Sequence, residues 1–427
     1  MNDSPLYKST TSHLCVVLNQ PAFNLYAILK TAAHFLRRSL TKVFTNLHHF
    51  LTHKTARAIG LTFAADSLMF GSWVTHIPHV KSTLGMNDAE LGLALFGMPL
   101  GLLAMNPISP TLLQRVGLVR TTVFSTLTMA VSFALPVWMP DRWSLLGALF
   151  LVGISIALLN VAMNTCATHV EKAEGIFIMS SCHGMWSLGG MVGSGSSAAL
   201  IALGVAPRTH LSLLALLVVA SAWLWLRPAL SAVPERREED NGGSKFVWPT
   251  RDLLLMIGIG LCISLSEGVA FDWSAVYLRD TLGATAQVAA LAFTCFSLTM
   301  MAMRFTGDVL IPRFGERRLL LFSAGLTVVA LLVIILALKP AMGIIGFLLL
   351  GAGVALGAPI LFNAAARVPG LAPGAGLATY ATFSFVGFLA GPPVIGFVGE
   401  AYGFAIAFGA VALLAVLSVW AILKVRL

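Results

Sequence analysis

Between residues 58 and 424, apolar runs alternate with short polar breaks. Twelve runs emerge, at about 58–78, 89–113, 120–138, 144–168, 177–203, 211–227, 251–277, 287–311, 319–338, 341–364, 376–401 and 402–424. Each is long enough for an α-helix to cross, or nearly cross, the ~30 Å of hydrocarbon in a bilayer. None has the strict two-residue alternation over about ten residues that marks a membrane β-strand. The pattern predicts an all-α polytopic membrane protein of twelve transmembrane helices. The last two runs are the least clearly divided, because almost no loop separates them.

Composition agrees with that reading. The 427 residues are 57% hydrophobic and 11% charged, with mean hydropathy +0.87; soluble domains carry about 25% charged residues. The 39 Gly and 19 Pro, many inside the runs, would break soluble helices. In a membrane, neighbouring helices satisfy the freed backbone groups, and small residues let helix backbones approach. The net charge of +9 reads as topology, not as a nucleic-acid surface. With both termini inside, the inner segments hold 21 of the 27 Lys and Arg and the outer loops five, with Arg304 inside a run. The positive-inside rule then places both termini in the cytoplasm. Cysteines 15, 166, 182, 262 and 295 lack Cys–x–x–Cys or Cys/His spacing, so neither a disulfide framework nor a metal site is expected.

Four segments follow. Residues 1–57 form a basic tail, with no Asp or Glu from 4 to 65 and apolar positions at helical spacing. An amphipathic helix on an anionic leaflet fits this pattern, and so does an organellar transit peptide or a start codon placed too early. Residues 58–227 hold six runs, 228–250 a linker rich in Pro, Gly and mixed charge, and 251–427 six more. The halves repeat at an offset of 198 residues: Arg115 and Gly117 match Arg313 and Gly315, Gly153 matches Gly351, Gly189 matches Gly387, and Gly193 matches Gly391. Nearer the start of each half the offset drifts to 200–201, pairing Asp66 with Glu267, Phe70 with Phe271, and Trp73 with Trp273.

Two six-helix halves in parallel repeat resemble the major facilitator superfamily. The turns "QRVGLVR" and "PRFGERR" resemble its basic signature between helices 2 and 3 and helices 8 and 9. Gln114 and Pro312 stand at the signature Asp, and Pro110 and Asp308 at its first Gly. The stretches "SWVTHIPHVKSTLGMNDAELGLALFG", "SCHGMWSLGGMVGSG" and "SEGVAFDWSAVYLRD" are similar to the YbjJ-type branch, itself broadly similar to the fucose permeases. His76 stands where that branch would carry Arg, and Met303 where Gly often precedes Arg304. The resemblance implies two pseudo-symmetric halves, alternating access, and a central cavity lined by helices 1, 4, 7 and 10.

Charged and amide groups inside the runs are the candidate site. A carboxylate at bilayer depth costs ~2.5–3.5 kcal/mol on insertion scales, and desolvation favours its protonated form. Glu267 and Asp66 are therefore the candidate proton-coupling residues, although hydrogen bonding within the bundle would also account for either. Asp272, five residues beyond Glu267, lies about 140° away on an α-helix. It is expected near the outer mouth, as a gate or a partner of a neighbouring helix end. Arg304 and Asp308, one turn apart, are expected to pair at the inner gate, with Arg115 and Arg313 nearby. An anion-binding role for Arg304 is the alternative. Candidate substrate-binding residues are Trp73, Asn160, Asn164, His183, Trp186, Phe271, Trp273 and Asn363; interhelical packing is the competing reading for the amides and the histidine.

These residues predict a secondary active transporter, proton-coupled, for a small polar solute such as a sugar. Multidrug or metabolite efflux and a non-transporting solute sensor are the alternatives. No metalloprotease, serine-hydrolase or phosphate-loop pattern occurs, so neither an enzyme nor direct ATP hydrolysis is expected. The partners expected are the solute, protons and the lipid bilayer, with no cofactor and no nucleic acid. The protein is expected to be a monomer in a bacterial inner membrane.

Overall fold

The structure is a computed structural model that describes residues 50–176, 178–233, 248–369, 371 and 375–426. The predicted tail helix and most of the 228–250 linker lie outside the described residues. The described residues form twelve long helical segments, α1 Lys54–Thr83, α2 Asp88–Met105, α3 Leu118–Trp138, α4 Arg142–Glu174, α5 Met179–Ala202, α6 Pro207–Leu230, α7 Arg251–Thr281, α8 Ala286–Phe314, α9 Glu316–Ile335, α10 Pro340–Ala366, α11 Ala375–Tyr402 and α12 Phe404–Lys424, with a short helix Ser109–Val116 between α2 and α3. No strand occurs among the described residues. The weakly marked boundary between the last two spans falls at Gly403, whose φ of 86° turns the chain without a Cβ penalty.

Ten of these helices are long and apolar enough to cross a membrane; α1 and α5 do not meet that measure. Their sequences say why. Helix α1 carries Asp66, His76, His79 and Lys81, and α5 is rich in Gly and Ser. The two pack on each other, so neighbouring protein rather than lipid surrounds most of their polar groups. Ser67 donates to the Trp186 carbonyl, and Ser72 donates to the Gly193 carbonyl at 3.2 Å.

The glycine repeat has a geometric counterpart. A Cβ at Gly153 of α4 would stand 2.0 Å from the Met98 carbonyl oxygen of α2, and one at Gly351 of α10 2.1 Å from the Phe296 carbonyl oxygen of α8. Met98 and Phe296 are themselves one repeat apart. Likewise Gly189 of α5 meets α1 at Ala64, and Gly387 of α11 meets α7 at Leu261 and Ser264. Gly117 and Gly315, with φ of 94° and 79°, open α3 and α9 at the equivalent turns. Both halves are thus held by the same backbone-on-backbone crossings, which only a residue without a side chain permits.

Both ends of the described chain lie at one end of the bundle, here the proximal end. There the Arg426 backbone N–H donates to Asp252 at the start of α7 at 3.3 Å, and His53 before α1 lies 2.5 Å from Glu174 at the end of α4. Glu171 accepts the backbone N–H groups of Ile178 and Met179 at 2.6 and 2.8 Å, placing a carboxylate on the positive N-terminus of α5.

At the opposite, distal end the halves are tied together. Lys81 of α1 lies 2.6 Å from Asp88 at the start of α2 and 2.7 Å from Asp280 of α7, in the other half. Glu400 of α11 accepts the Asp88 backbone N–H at 2.9 Å. Just inside, Gly92 of α2 abuts the Pro392 carbonyl of α11, and Gly396 abuts the Asp88 carbonyl. The α4 end nearby is fixed by Asp141, whose carboxylate accepts from Trp143 and Ser144; the Ser144 backbone N–H holds it below the usual carboxylate range. Arg142 pairs with Glu90 of α2.

Lys81 serves two carboxylates at once, so its loss leaves both without their shared cation. Lys81→Met should loosen the distal closure. The expected result is a several-fold faster reaction of a cysteine at Asn160, in the cavity described next, with an impermeant thiol reagent applied from the distal side. An unchanged rate would show that the glycine contacts alone hold that end shut.

Candidate functional site

A cavity of about 380 Å³ lies between the halves, on the proximal side of the Lys81 closure. Residues of α1, α2, α4, α5, α7, α8 and α11 line it. Helix α10 contributes none of its lining residues, unlike the expected 1, 4, 7 and 10 arrangement. The size falls within the ~300–1,000 Å³ of small-molecule sites.

Helical spacing sets the first wall. Phe63, Asp66 and Phe70 of α1 stand three and four residues apart and share one face. His183 and Trp186 of α5, one turn apart, meet that face. The His183 ring stands edge-on to Phe63 at 5.3 Å, and Trp186 Nε1 donates to Asp66 Oδ2 at 2.9 Å. Asp66 is 4% exposed, and its Oδ1 has no hydrogen-bond partner.

The facing wall comes from α7 and α8. Arg304 Nη2 of α8 stands 3.7 Å from Glu267 Oε1 of α7, and its Nη1 donates to Ser187 of α5 at 3.2 Å. Its guanidinium carbon lies 5.7 Å from the Trp186 ring centroid, a cation–π arrangement. A continuous polar chain therefore runs Asp66–Trp186–Arg304–Glu267, joining the two carboxylates paired by the repeat and crossing from one half to the other. Phe70 and Phe271, also paired by the repeat, touch edge-to-face at 5.2 Å.

Arg304 is thus in the cavity wall, facing an acid on another helix, instead of at an inner gate. The Asp308 side chain expected to pair with it lies outside the described residues. Asp272 also differs from expectation. Residues Val269–Trp273 form a π-helical segment, which adds a residue to the turn and brings positions five apart toward one face. Asp272 consequently lines the cavity with Glu267 and Phe271 and does not lie at the outer mouth. The 140° separation holds only for an uninterrupted α-helix.

Of the substrate-binding candidates, Asn160, His183, Trp186 and Phe271 line the cavity. Asn164 does not; its amide donates to the Asn160 carbonyl at 2.8 Å and reaches the Asn160 side chain at 3.3 Å. Trp73 and Trp273 are core residues, 1% and 0% exposed, with Trp273 packed 5.3 Å from Phe404 and against Gly396. Asn363 is exposed on α10, where its carbonyl accepts from Arg367 at 3.1 Å. Arg115 and Arg313 are exposed in the last turns before Gly117 and Gly315, and neither lines the cavity. His76, at the position expected to be Arg, lies outside the cavity and meets His210 of α6 at 2.9 Å. Phe63, Phe388 and Ser187 were not singled out by sequence, since an aromatic or serine in an apolar run carries no signal of its own.

Two repeated six-helix halves with a cavity between them and buried charged groups on both sides suit the passage of a solute across a membrane. The chain belongs to the major facilitator superfamily, whose sequence profile matches residues 59–277 and 255–426. It is 32% identical over 356 residues to an uncharacterized MFS-type transporter of Yersinia pestis, covering 83% of this chain and 91% of that one. It is 29% identical over 358 residues to the membrane protein MosC of Rhizobium meliloti, covering 82% and 84%. Among solved structures it resembles a D-xylose–proton symporter with a TM-score of 0.66 at 14% identity, covering 85% of this chain and 97% of that one. The Escherichia coli fucose:proton symporter gives 0.60 at 18% identity, covering 88% and 99%.

Proposed function

We propose that this transporter moves a small polar solute by alternating access, driven by coupled proton movement. The observation that carries the reading is the Asp66–Trp186–Arg304–Glu267 chain across the cavity. Glu267 has two alternatives to an uncompensated charge: the Arg304 guanidinium or a proton. Taking up a proton would remove the charge that draws the guanidinium toward α7, freeing Arg304 to shift against Ser187 and Trp186 in the other half. Protonation and the relation between halves are then linked, as alternating access requires. That the sugar–proton symporters share the fold is consistent with this reading.

On this proposal the chain resides in a bacterial inner membrane with both termini in the cytoplasm. The distal end then faces outward, and the Lys81 closure marks a conformation shut to the outside. Cysteines placed at Gly242 of the linker and at exposed Thr285 of the α7–α8 turn, in a cysteine-free background, should separate the two sides. Impermeant reagent on intact cells should label the second and spare the first; the reverse pattern would invert the topology.

The transport reading is tested with purified protein in liposomes. A proton gradient should drive accumulation of a solute found by thermal-shift screening, and a protonophore should abolish it. Solute binding without flux would make the chain a sensor, and flux indifferent to the proton gradient would remove the coupling.

A further inference from the structure

We propose that the solute carries a cationic amine, recognised by Asp272 against a platform of aromatic rings; this rests on the transporter reading and narrows its substrate class. Among the described residues, three carboxylates, Asp66, Glu267 and Asp272, line the cavity with a single guanidinium. Their partners are unequal. Glu267 faces Arg304, and one oxygen of Asp66 accepts from Trp186. Asp66 Oδ1, fully enclosed, has no partner, and Asp272 makes no hydrogen bond or ion pair with any described residue.

The cavity therefore has more acceptors than donors. Trp186 donates to Asp66, and Arg304 turns one nitrogen to Glu267 and another to Ser187, so the donors left toward a ligand are the remaining Arg304 N–H groups, Asn160 and His183, against six carboxylate oxygens. No Ser or Thr lines the cavity among the described residues. Each hydroxyl of a neutral polyol brings one donor and two acceptor lone pairs and would leave several acceptors unmatched. A primary ammonium is donor-only, with three N–H groups, and supplies what this wall lacks.

The remaining surface suits the same ligand. Phe70 and Trp186 from one half and Phe271 and Phe388 from the other form one cluster, with Phe271 at 5.2, 6.2 and 6.4 Å from the other three rings. Asp272 follows Phe271 directly in the π-helical turn. An acid beside aromatic faces is the arrangement that attracts an ammonium group.

The test uses the full chain without its native cysteines, with Asn160→Cys as reporter. Its reaction with the cationic trimethylammonioethyl methanethiosulfonate is compared with the anionic sulfonatoethyl reagent, each corrected for its rate with a free thiol. Field focusing in a cleft with an excess of one sign gives preferences of about 10-fold or more, so the cationic reagent should win by that margin. Asp272→Asn should bring the ratio near parity, and Asp272→Glu should restore it. Equal rates, or an anionic preference, in the parent would overturn the proposal.

Ligand class is read from protection of the same cysteine by matched pairs: D-glucosamine and D-glucose, ethanolamine and ethylene glycol. Only the aminated members should protect, and only with Asp272 present. Protection by the neutral members, or by neither, overturns the inference, as does protection by sodium ions that Asp272→Asn removes. None of these outcomes bears on whether a proton gradient drives flux, which the liposome experiment decides separately.

Discussion

Glu267→Gln should abolish proton-gradient-driven accumulation while leaving solute binding and solute exchange in place. The amide preserves size and most hydrogen bonding but cannot gain or lose a proton. It also removes the charge facing Arg304 at 3.7 Å, so the variant resembles a permanently protonated carrier. Accumulation ratio in liposomes should fall to about one, whereas exchange of labelled for unlabelled solute, which needs no net proton movement, should continue. The comparison with Asp66→Asn is informative. Asp66 accepts from Trp186 rather than from a cation, and an amide oxygen can keep that bond. If Glu267→Gln accumulates normally at wild-type protein levels, Glu267 is a structural partner of Arg304 and Asp66 becomes the proton site.

The second large effect concerns packing. Gly153→Ala should lower the thermal midpoint of the detergent-solubilised protein, because its methyl would lie 2.0 Å from the Met98 carbonyl oxygen. Backbone cannot move aside as a flexible side chain does, so α2 and α4 must separate. Overpacking of this kind typically costs ~1–3 kcal/mol. Gly147→Ala, two turns earlier on the same α4, is the control: a Cβ there meets nothing within 4 Å. Alanine is the better helix former by roughly 0.8–1 kcal/mol in soluble hosts, so that variant should be neutral or more stable. Gly351→Ala should repeat the loss in the other half. Equal behaviour of the Gly147 and Gly153 variants would mean that the α2–α4 crossing relaxes freely.

Much of this was legible in the chain. Each of the twelve apolar runs overlaps one helix, though α2 stops at Met105 short of its run and α4 continues past its run to Glu174, and the 198-residue offset picks out glycines such as Gly153 and Gly351 that sit at equivalent crossings. Such features depend on spacing along one helix, which sequence displays directly. Asp66 and Glu267 were legible for the same reason, as charges within apolar runs.

What sequence could not show was contact between distant segments and irregularity within a helix. Arg304 has an acid one turn away at Asp308, but its guanidinium faces Glu267, 37 residues earlier, and rests on α5 through Ser187 and Trp186. Regular 3.6-residue geometry puts Asp272 on another face from Glu267, but the helix widens through Val269–Trp273 and turns it into the cavity. Trp73 and Trp273 were selected as large aromatics near charges, but they turned out to fill the cores around the cavity. A tryptophan's size suits either task, and only the packing around it decides.

The repeated glycine crossings also bear on how such a carrier could be re-engineered. The skeleton appears twice in nearly the same form, while the groups around the solute do not: Asp66 meets a tryptophan, Glu267 an arginine, and Asp272 belongs to one half alone. Structural bookkeeping and solute chemistry are therefore written in different residues, often neighbours in the chain, as Gly387 and Phe388 are. Changes to cavity positions such as Ile156 and Phe388 can be combined and selected for new cargo while the glycine crossings that assemble each half stay in place. A library restricted to those positions would search specificity while sparing foldability.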